Sequence, residues 1–271
     1  MSRNLDNSTL TFPLDNDIKF IEDTHRYIYK DGTDFMPVSR VYSQFFEEFD
    51  SAHWAKLKAI KLRRNEMDLA DEWKCKGEEA SLHGKFMHRQ IELFINGEKD
   101  IETECDFEYK SWYRDISTKL SIECEFNYFL NFINSNKINP FRTEWIVIDP
   151  NLRIAGTIDL VCRNNDNEVE IYDWKRSKAL IDEYGYEIRF NRNNKHGING
   201  LEHISDTAYW HYTIQQNLYR YILEHNYGLR VKAMHLVVLH PSLDDYRIIN
   251  VQTMDNTVKT ILDRFTHSNS L

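Results

Sequence analysis

The chain has 271 residues, of which 41% are hydrophobic and 13% aromatic, enough to bury a sizeable core in one large domain. No run approaches 18 apolar residues, which argues against a helical membrane span, and the start MSRNLDNSTLTFPLDND lacks the apolar segment of a secretory signal. A formal charge of −9 excludes nucleic-acid coating by bulk charge and leaves any such contact to local clusters.

Cys75, Cys105, Cys124 and Cys162 are scattered, without a CxxC pair. That pattern speaks against a zinc site or a disulfide framework and fits reduced thiols, so an intracellular, unprocessed protein is expected.

In chain order, residues 1–16 read as a polar lead-in and 17–265 as a single domain. Within residues 17–38, IKFIE and HRYIYK are strand-like, and Asp31-Gly32 is a hairpin-turn signal. Ser39 is placed to N-cap a helix beginning RVYSQFFEEF. A basic helical pattern runs from Ser51 to about Leu69 and carries Lys56, Lys58, Lys61, Arg63 and Arg64. A third helical pattern starts near Asp71, is broken or re-entered near Gly77 and Gly84, and closes at Asn96-Gly97. In it Met87, Ile91, Phe94 and Ile95 form an apolar stripe, with His88 and Glu92 four apart on the adjacent face. Residues 104–135 are expected to form a further helical stretch whose aromatics, Phe107 to Phe132, serve packing rather than base stacking; Pro140 ends it.

The segments EWIVID, TIDLV and VEIYDWK then read as an antiparallel meander over 140–178, turning at Pro150-Asn151 and at RNNDNE. Residues 179–206 are polar and aperiodic, and a loop of that length is usually functional or mobile. It contains a basic cluster, Arg189, Arg192 and Lys195. A helix over Asp206 to Glu224, the strands AMHLVVLHP and YRIINVQ, and a terminal helix complete the region 205–265. The expected class is α/β, a central mixed sheet flanked by helices with an N-terminal helical region.

The meander places charge on apolar strands. Asp159 sits inside TIDLV, and Asp173 and Lys175 lie two apart inside VEIYDWK. Such groups are costly to bury unless paired or bound to a metal. At a rise of ~3.3 Å per residue, Asp173 and Lys175 stand about 6–7 Å apart on one face, with room for an ion and a water between them. Hard divalent cations take carboxylate oxygens, and a neighbouring lysine can orient the attacking water. An edge-strand salt bridge is the bland alternative for the DxK pair; Asp159 on the neighbouring strand, preceded by Gly156, favours the site. Trp174, on the opposite face, is assigned to the core.

G-x-x-D-L-V followed by I-x-D-W-K resembles the PD-(D/E)xK nuclease superfamily, whose core is restriction-endonuclease-like, here without the proline before the first aspartate. Four further segments resemble its RecB-like branch, which includes the mitochondrial genome maintenance exonuclease and phage or viral exonucleases. These are HRYIYKDGTDFMPVSRVYSQFF, GKFMHRQIE, TEWIVID and QQNLY. The resemblance spans roughly residues 20–245, each motif weak alone and the ordered set specific.

It implies that His88, Asp159 and Asp173 hold one or two Mg²⁺ or Mn²⁺ ions, with Asp159, Asp173 and Lys175 catalytic. Gln215 and Tyr219 would meet the DNA, Glu92 and Glu144 would lie just behind the ligands, and His83 is the alternative histidine. Arg176 and Lys178 are expected to contact phosphate because their basic cluster flanks the proposed site. An imidazole ligand would add Mn²⁺ tolerance. The implied activity is DNA exonuclease action on single strands or duplex ends, leaving 5′-phosphate and 3′-hydroxyl groups, in replication, repair or recombination. The N-terminal helices and the 179–206 loop would arch over a single strand. The resemblance also admits a viral or phage origin. No iron–sulfur cluster is expected, because no cysteine follows Cys162. Arg176 departs from the threonine that often follows the lysine. Other classes stay open: a structure-specific endonuclease, an RNA-acting nuclease, or a non-catalytic nucleic-acid-binding subunit of the same fold.

Overall fold

The computed structural model describes residues 12–165 and 167–268, so most of the polar lead-in lies outside the described residues. Three antiparallel strands form the meander: β6 (Pro140–Asp149), β7 (Ile154–Arg163) and β8 (Glu168–Lys175). Each is buried along most of its length, as strands covered on both faces are. Before them in sequence come β1 (Ile18–Ile21), β2 (Arg26–Tyr29) and β3 (Asp34–Pro37), an antiparallel ribbon whose β2–β3 turn carries Gly32 at φ 87°. The segments IKFIE and HRYIYK and the Asp31-Gly32 turn therefore fall where the sequence puts them.

On the far side, β9 (Arg230–Val238) runs parallel to β8, and β10 (Arg247–Asn250) antiparallel to β9. Among the described residues the sheet has eight strands in the order β1-β2-β3-β7-β8-β9-β10, with β6 on the other edge of β7. The architecture is α/β, a mixed central sheet with helices on its faces.

One face of the sheet packs against α1 (Val38–Ser43), α5 (Ala208–Asn226) and α6 (Asp255–Ser268). The other packs against the C-terminal half of α3 (Glu66–Ile95) and against α4 (Glu123–Ser135). Met87 and Ile91 of the predicted stripe are fully buried there. Trp174 is 1% exposed, with Phe129 and Phe132 edge-on to it at 5.4 and 5.5 Å between ring centres. It is a core residue.

Four expectations need correction. Residues 104–121 are not helical: β4 (Glu104–Lys110) and β5 (Asp115–Ser121) form a separate antiparallel hairpin. The alternation Cys105, Phe107, Tyr109 against Leu120 buries one side of it on Cys75 of α3, with charged residues at the alternate positions of β4. The helix over 123–135 stands as expected.

Gly77 and Gly84 do not interrupt α3, which is continuous over 30 residues. Each glycine costs about 1 kcal/mol relative to alanine. Packing of Leu69, Cys75, Met87 and Ile91 and an Asn65 cap, whose Oδ1 accepts from Met67 and Asp68 N–H, offset that cost. The preceding basic helix is shorter than expected: α2 (Ser51–Leu62) ends where Arg63 turns left-handed at φ 52°. Ser39, finally, is not a cap. Helix α1 starts at Val38 directly from Pro37, without a side-chain cap bond.

Candidate metal and active site

The site lies where two strands part. Toward β8, β7 is paired only at its ends: Leu160 to Arg163 with β8, and Ile154 and Ala155 with β3. The β7–β8 ladder stops at Leu160–Tyr172, one residue short of Asp159 and Asp173. There the carboxylate replaces the backbone: Asp159 Oδ2 accepts the Trp174 N–H at 2.8 Å. The stretch from Gly156 to Asp159 is thus freed from the β8-side ladder, which leaves a gap in the strand pairing in the middle of the sheet. Strand β8 is central in the sheet, flanked by β7 and β9, so the DxK pair does not lie on an edge strand, although its two side chains do form an ion pair.

Three elements converge on Asp159. His88 projects from α3, and its Nε2–H donates to the Trp174 carbonyl at 2.9 Å. That bond turns Nδ1 toward the carboxylates, 3.4 Å from Asp159 Oδ2 and 3.9 Å from Glu144 Oε1. Glu144 comes from β6, where it takes a left-handed conformation at φ 45°. A non-glycine residue in that region costs about 1–2 kcal/mol, and here the unusual backbone carries the side chain that completes the group. One ligand atom each from His88, Glu144 and Asp159 lies within 4.8 Å of the others.

The electrostatics are those of a site short of positive charge. Burial works against the imidazolium of His88, but Asp159 and Glu144 outweigh it and lift the pKa to about 9. Burial likewise opposes ionisation of Asp159, and His88, Lys175 and the Trp174 N–H together hold its carboxyl below the usual range. Desolvation, with the charges of Asp159, Glu92 and Asp173, pushes Glu144 up to about 8 despite His88. Asp173 is raised to about 6 by burial and Asp159, against Lys175 and His88. An imidazole nitrogen aimed inward by a second hydrogen bond, facing the carboxylates of Asp159 and Glu144, is a donor set suited to a divalent cation. The residues present fit such an ion.

Asp173 and Lys175 stand on the α1/α5 side of β8. Their side chains meet directly, Lys175 Nζ lying 2.6 Å from Asp173 Oδ2, so the room expected between them is closed by an ion pair. Nζ also sits 4.3 Å from the ring centre of Tyr212 on α5. Burial disfavours the ammonium, yet Asp173 and Asp159 hold it charged, above the ordinary lysine range. Two turns further on α5, Tyr219 packs over Gly156, and Gln215 Nε2 donates to the Tyr219 hydroxyl at 3.1 Å. Burial raises the Tyr219 hydroxyl well above the ordinary tyrosine value, with Tyr27, Asp173 and Asp159 adding to it.

The structure therefore brings His88, Asp159, Asp173, Lys175, Gln215 and Tyr219 into one cleft, with Glu144 inside the ligand group rather than behind it. Glu92 is buried in α3, held by Arg89 at 2.6 Å, and acts on the cleft only through its charge on Glu144. His83 points elsewhere, its Nε2 2.8 Å from the Ser121 carbonyl. Arg176 does not face the cleft as a free phosphate contact: its Nε donates to Glu125 Oε1 of α4 at 2.6 Å. Lys178 is exposed in the turn after β8. Tyr212 escaped the sequence reading because an aromatic on an amphipathic helix looks like core; its place four residues after Ala208, on the face shared with Gln215 and Tyr219, was the available signal.

No protein-family model matches the chain, and no curated protein does. Among solved structures, an alkaline exonuclease from Laribacter hongkongensis aligns over 86% of this chain and 87% of its own, at 10% identity and a TM-score of 0.37. A protein of Eubacterium rectale described as a candidate exonuclease aligns over 85% of this chain and 77% of its own, at 14% identity and a TM-score of 0.33. Similarity at these levels carries no functional weight, and the reading below stands on the site itself.

Proposed function

We propose that this chain is a divalent-metal-dependent deoxyribonuclease of the PD-(D/E)xK type, RecB-like, which hydrolyses phosphodiester bonds from free DNA ends in replication, repair or recombination. The observation that carries the reading is the convergence of His88, Glu144, Asp159, Asp173 and Lys175, from four separate elements, on the gap between β7 and β8.

His88, Glu144 and Asp159 would hold the ion, Mg²⁺ or Mn²⁺, with Asp173 the adjoining carboxylate. When bound, such an ion supplies Lewis acidity toward a phosphate oxygen and a lowered pKa for its water. The Trp174 carbonyl keeps the His88 ring oriented, and the Trp174 N–H fixes Asp159, so one residue's backbone positions two of the three. Lys175, charged and clamped between Asp173 and the Tyr212 ring, donates hydrogen bonds toward the attacking water or the phosphate and offsets negative charge that builds there. Gln215 and Tyr219 form the α5 wall of the cleft against which the sugar–phosphate backbone would lie.

The test is incubation with end-labelled single- and double-stranded linear DNA, closed circular DNA and RNA, each with Mg²⁺, Mn²⁺ or EDTA. Stepwise, metal-dependent release from linear DNA with the circle left intact is the expected result. Cutting of the circle would instead establish an endonuclease, and binding without turnover a non-catalytic member of the fold.

A further inference from the structure

Beyond β8 the long polar segment contains an ordered hairpin. Leu180 and Ile181 are buried in the main core, the Ile188 N–H donates to the Leu180 carbonyl at 2.9 Å, and Ile181 bridges Glu187. Asp182 closes the tip. Its N–H donates to the Tyr186 carbonyl at 2.9 Å, and its Oδ1 accepts from the N–H groups of Tyr184 and Tyr186, also at 2.9 Å. Gly185, at φ 86°, makes the turn.

This braced tip holds its rings out in water. Tyr184 is 77% exposed, Tyr186 71%, and Phe190, just past the hairpin, 79%. One exposed aromatic needs no explanation; three within seven residues on a fixed turn do.

Both limbs lead to the catalytic cleft. The first leaves Lys175 and reaches the buried Leu180 five residues later. The second passes through Arg189, whose guanidinium lies 4.8 Å from the Tyr209 ring centre and whose carbonyl accepts the Trp210 Nε1–H at 2.9 Å. Tyr209 and Trp210 open α5, and Tyr212, less than a turn on, carries Lys175 Nζ over its ring. Lys178, Arg189 and Arg192 lie along the approach beside Glu183 and Glu187, the latter 3.7 Å from Arg189, and the carboxylate of Asp182 is taken up inside the turn, so the exposed rings rather than net charge distinguish this segment.

We infer that Tyr184, Tyr186 and Phe190 form a stacking platform for the bases of a single-stranded DNA end as its backbone enters the cleft; the inference rests on the nuclease reading above. A ring accepts the face of any base, so such a platform grips without reading sequence. In a duplex those faces are hidden in the base stack, and the platform therefore favours a single-stranded or frayed end.

Anisotropy in EDTA, which stops turnover, measures binding of two labelled oligonucleotides of about 20 nucleotides, one of thymidines and one abasic, equal in length and charge. The expected result is tighter binding of the base-bearing strand, on the order of tenfold per stacked base. The Tyr184→Ala/Tyr186→Ala/Phe190→Ala chain should lose that difference while binding the abasic strand and responding to salt as before. Tyr184→Trp, which keeps a ring at the tip, should retain it. An unchanged preference in the triple variant, or none in the unsubstituted chain, overturns the platform while leaving the nuclease reading in place. An unsubstituted chain that neither binds nor cleaves DNA removes both.

Discussion

Tyr219 lies over Gly156 so closely that a Cβ at position 156 would sit 2.5 Å from Cε1 of its ring. Glycine is there to let the ring in, and the ring in turn forms the wall beside Asp159. Gly156→Ala should therefore push the ring away, costing about 1–3 kcal/mol as overpacking and most of the activity. Tyr219→Leu in the same chain should restore much of the stability without restoring activity. Thermal unfolding and a cleavage assay on the three variants measure this coupling.

Glu144 departs from strand geometry in order to reach the cleft. Asparagine tolerates its left-handed backbone and removes the half-buried carboxylate. Glu144→Asn should raise stability in EDTA by about 1 kcal/mol and at the same time weaken Mn²⁺ binding and cleavage. Denaturant midpoints set beside Mn²⁺ titration separate the two effects; a variant less stable in EDTA and fully active would contradict the role given to this residue.

Arg176 is assigned here to the structure rather than to the DNA. Glu125, its partner at 2.6 Å, is 1% exposed, so Arg176→Ala leaves a carboxylate buried without its cation. A loss of about 3–5 kcal/mol is expected, largely recovered in Arg176→Leu/Glu125→Leu. Urea unfolding tests this. If Arg176→Ala is as stable as the parent and only DNA binding falls, the residue belongs to the substrate path.

Glu72 ties the end of α2 to α3. Lys76 and Arg64, each 2.8 Å away, bring its carboxyl down to about 2. A depressed pKa contributes stability above the unfolded value, near 4.5, which is lost as pH falls toward 2. The side chain is partly exposed, so the contribution is small, about 0.5–1 kcal/mol. The stability difference between parent and Glu72→Gln should therefore shrink between pH 5 and pH 2.5, read from urea midpoints at the two pH values.

What the sequence disclosed follows from what its patterns can encode. The meander was legible because apolar runs broken by Pro150-Asn151 and Asn164-Asn165 leave few alternatives, and the charges within it were legible because they are costly there. The β4–β5 hairpin was not: β4 alternates, but β5 (DISTKLS) buries only Leu120, and Trp112 and Tyr113 in the turn between them extend the aromatic run. Nor could spacing show that Glu144 enters the ligand group, since that depends on one backbone angle, or that Arg176 is held by Glu125, 51 residues away. The direct contact of Asp173 with Lys175 was out of reach for the same reason: strand geometry sets where their backbones stand, and the side chains close the rest.

The central claim is that the cleft between β7 and β8 hydrolyses DNA with a divalent ion, and substitution of its carboxylate and lysine tests it most directly. Release of label from linear DNA should be measured over a Mg²⁺ and Mn²⁺ titration for the parent chain, Asp173→Asn and Lys175→Met, with folding of each checked by thermal unfolding. The account predicts metal-dependent release by the parent, none in EDTA, and a loss of at least about a hundredfold in both folded variants. Cleavage by the parent in EDTA, or parental rates in folded Asp173→Asn or Lys175→Met, would contradict it.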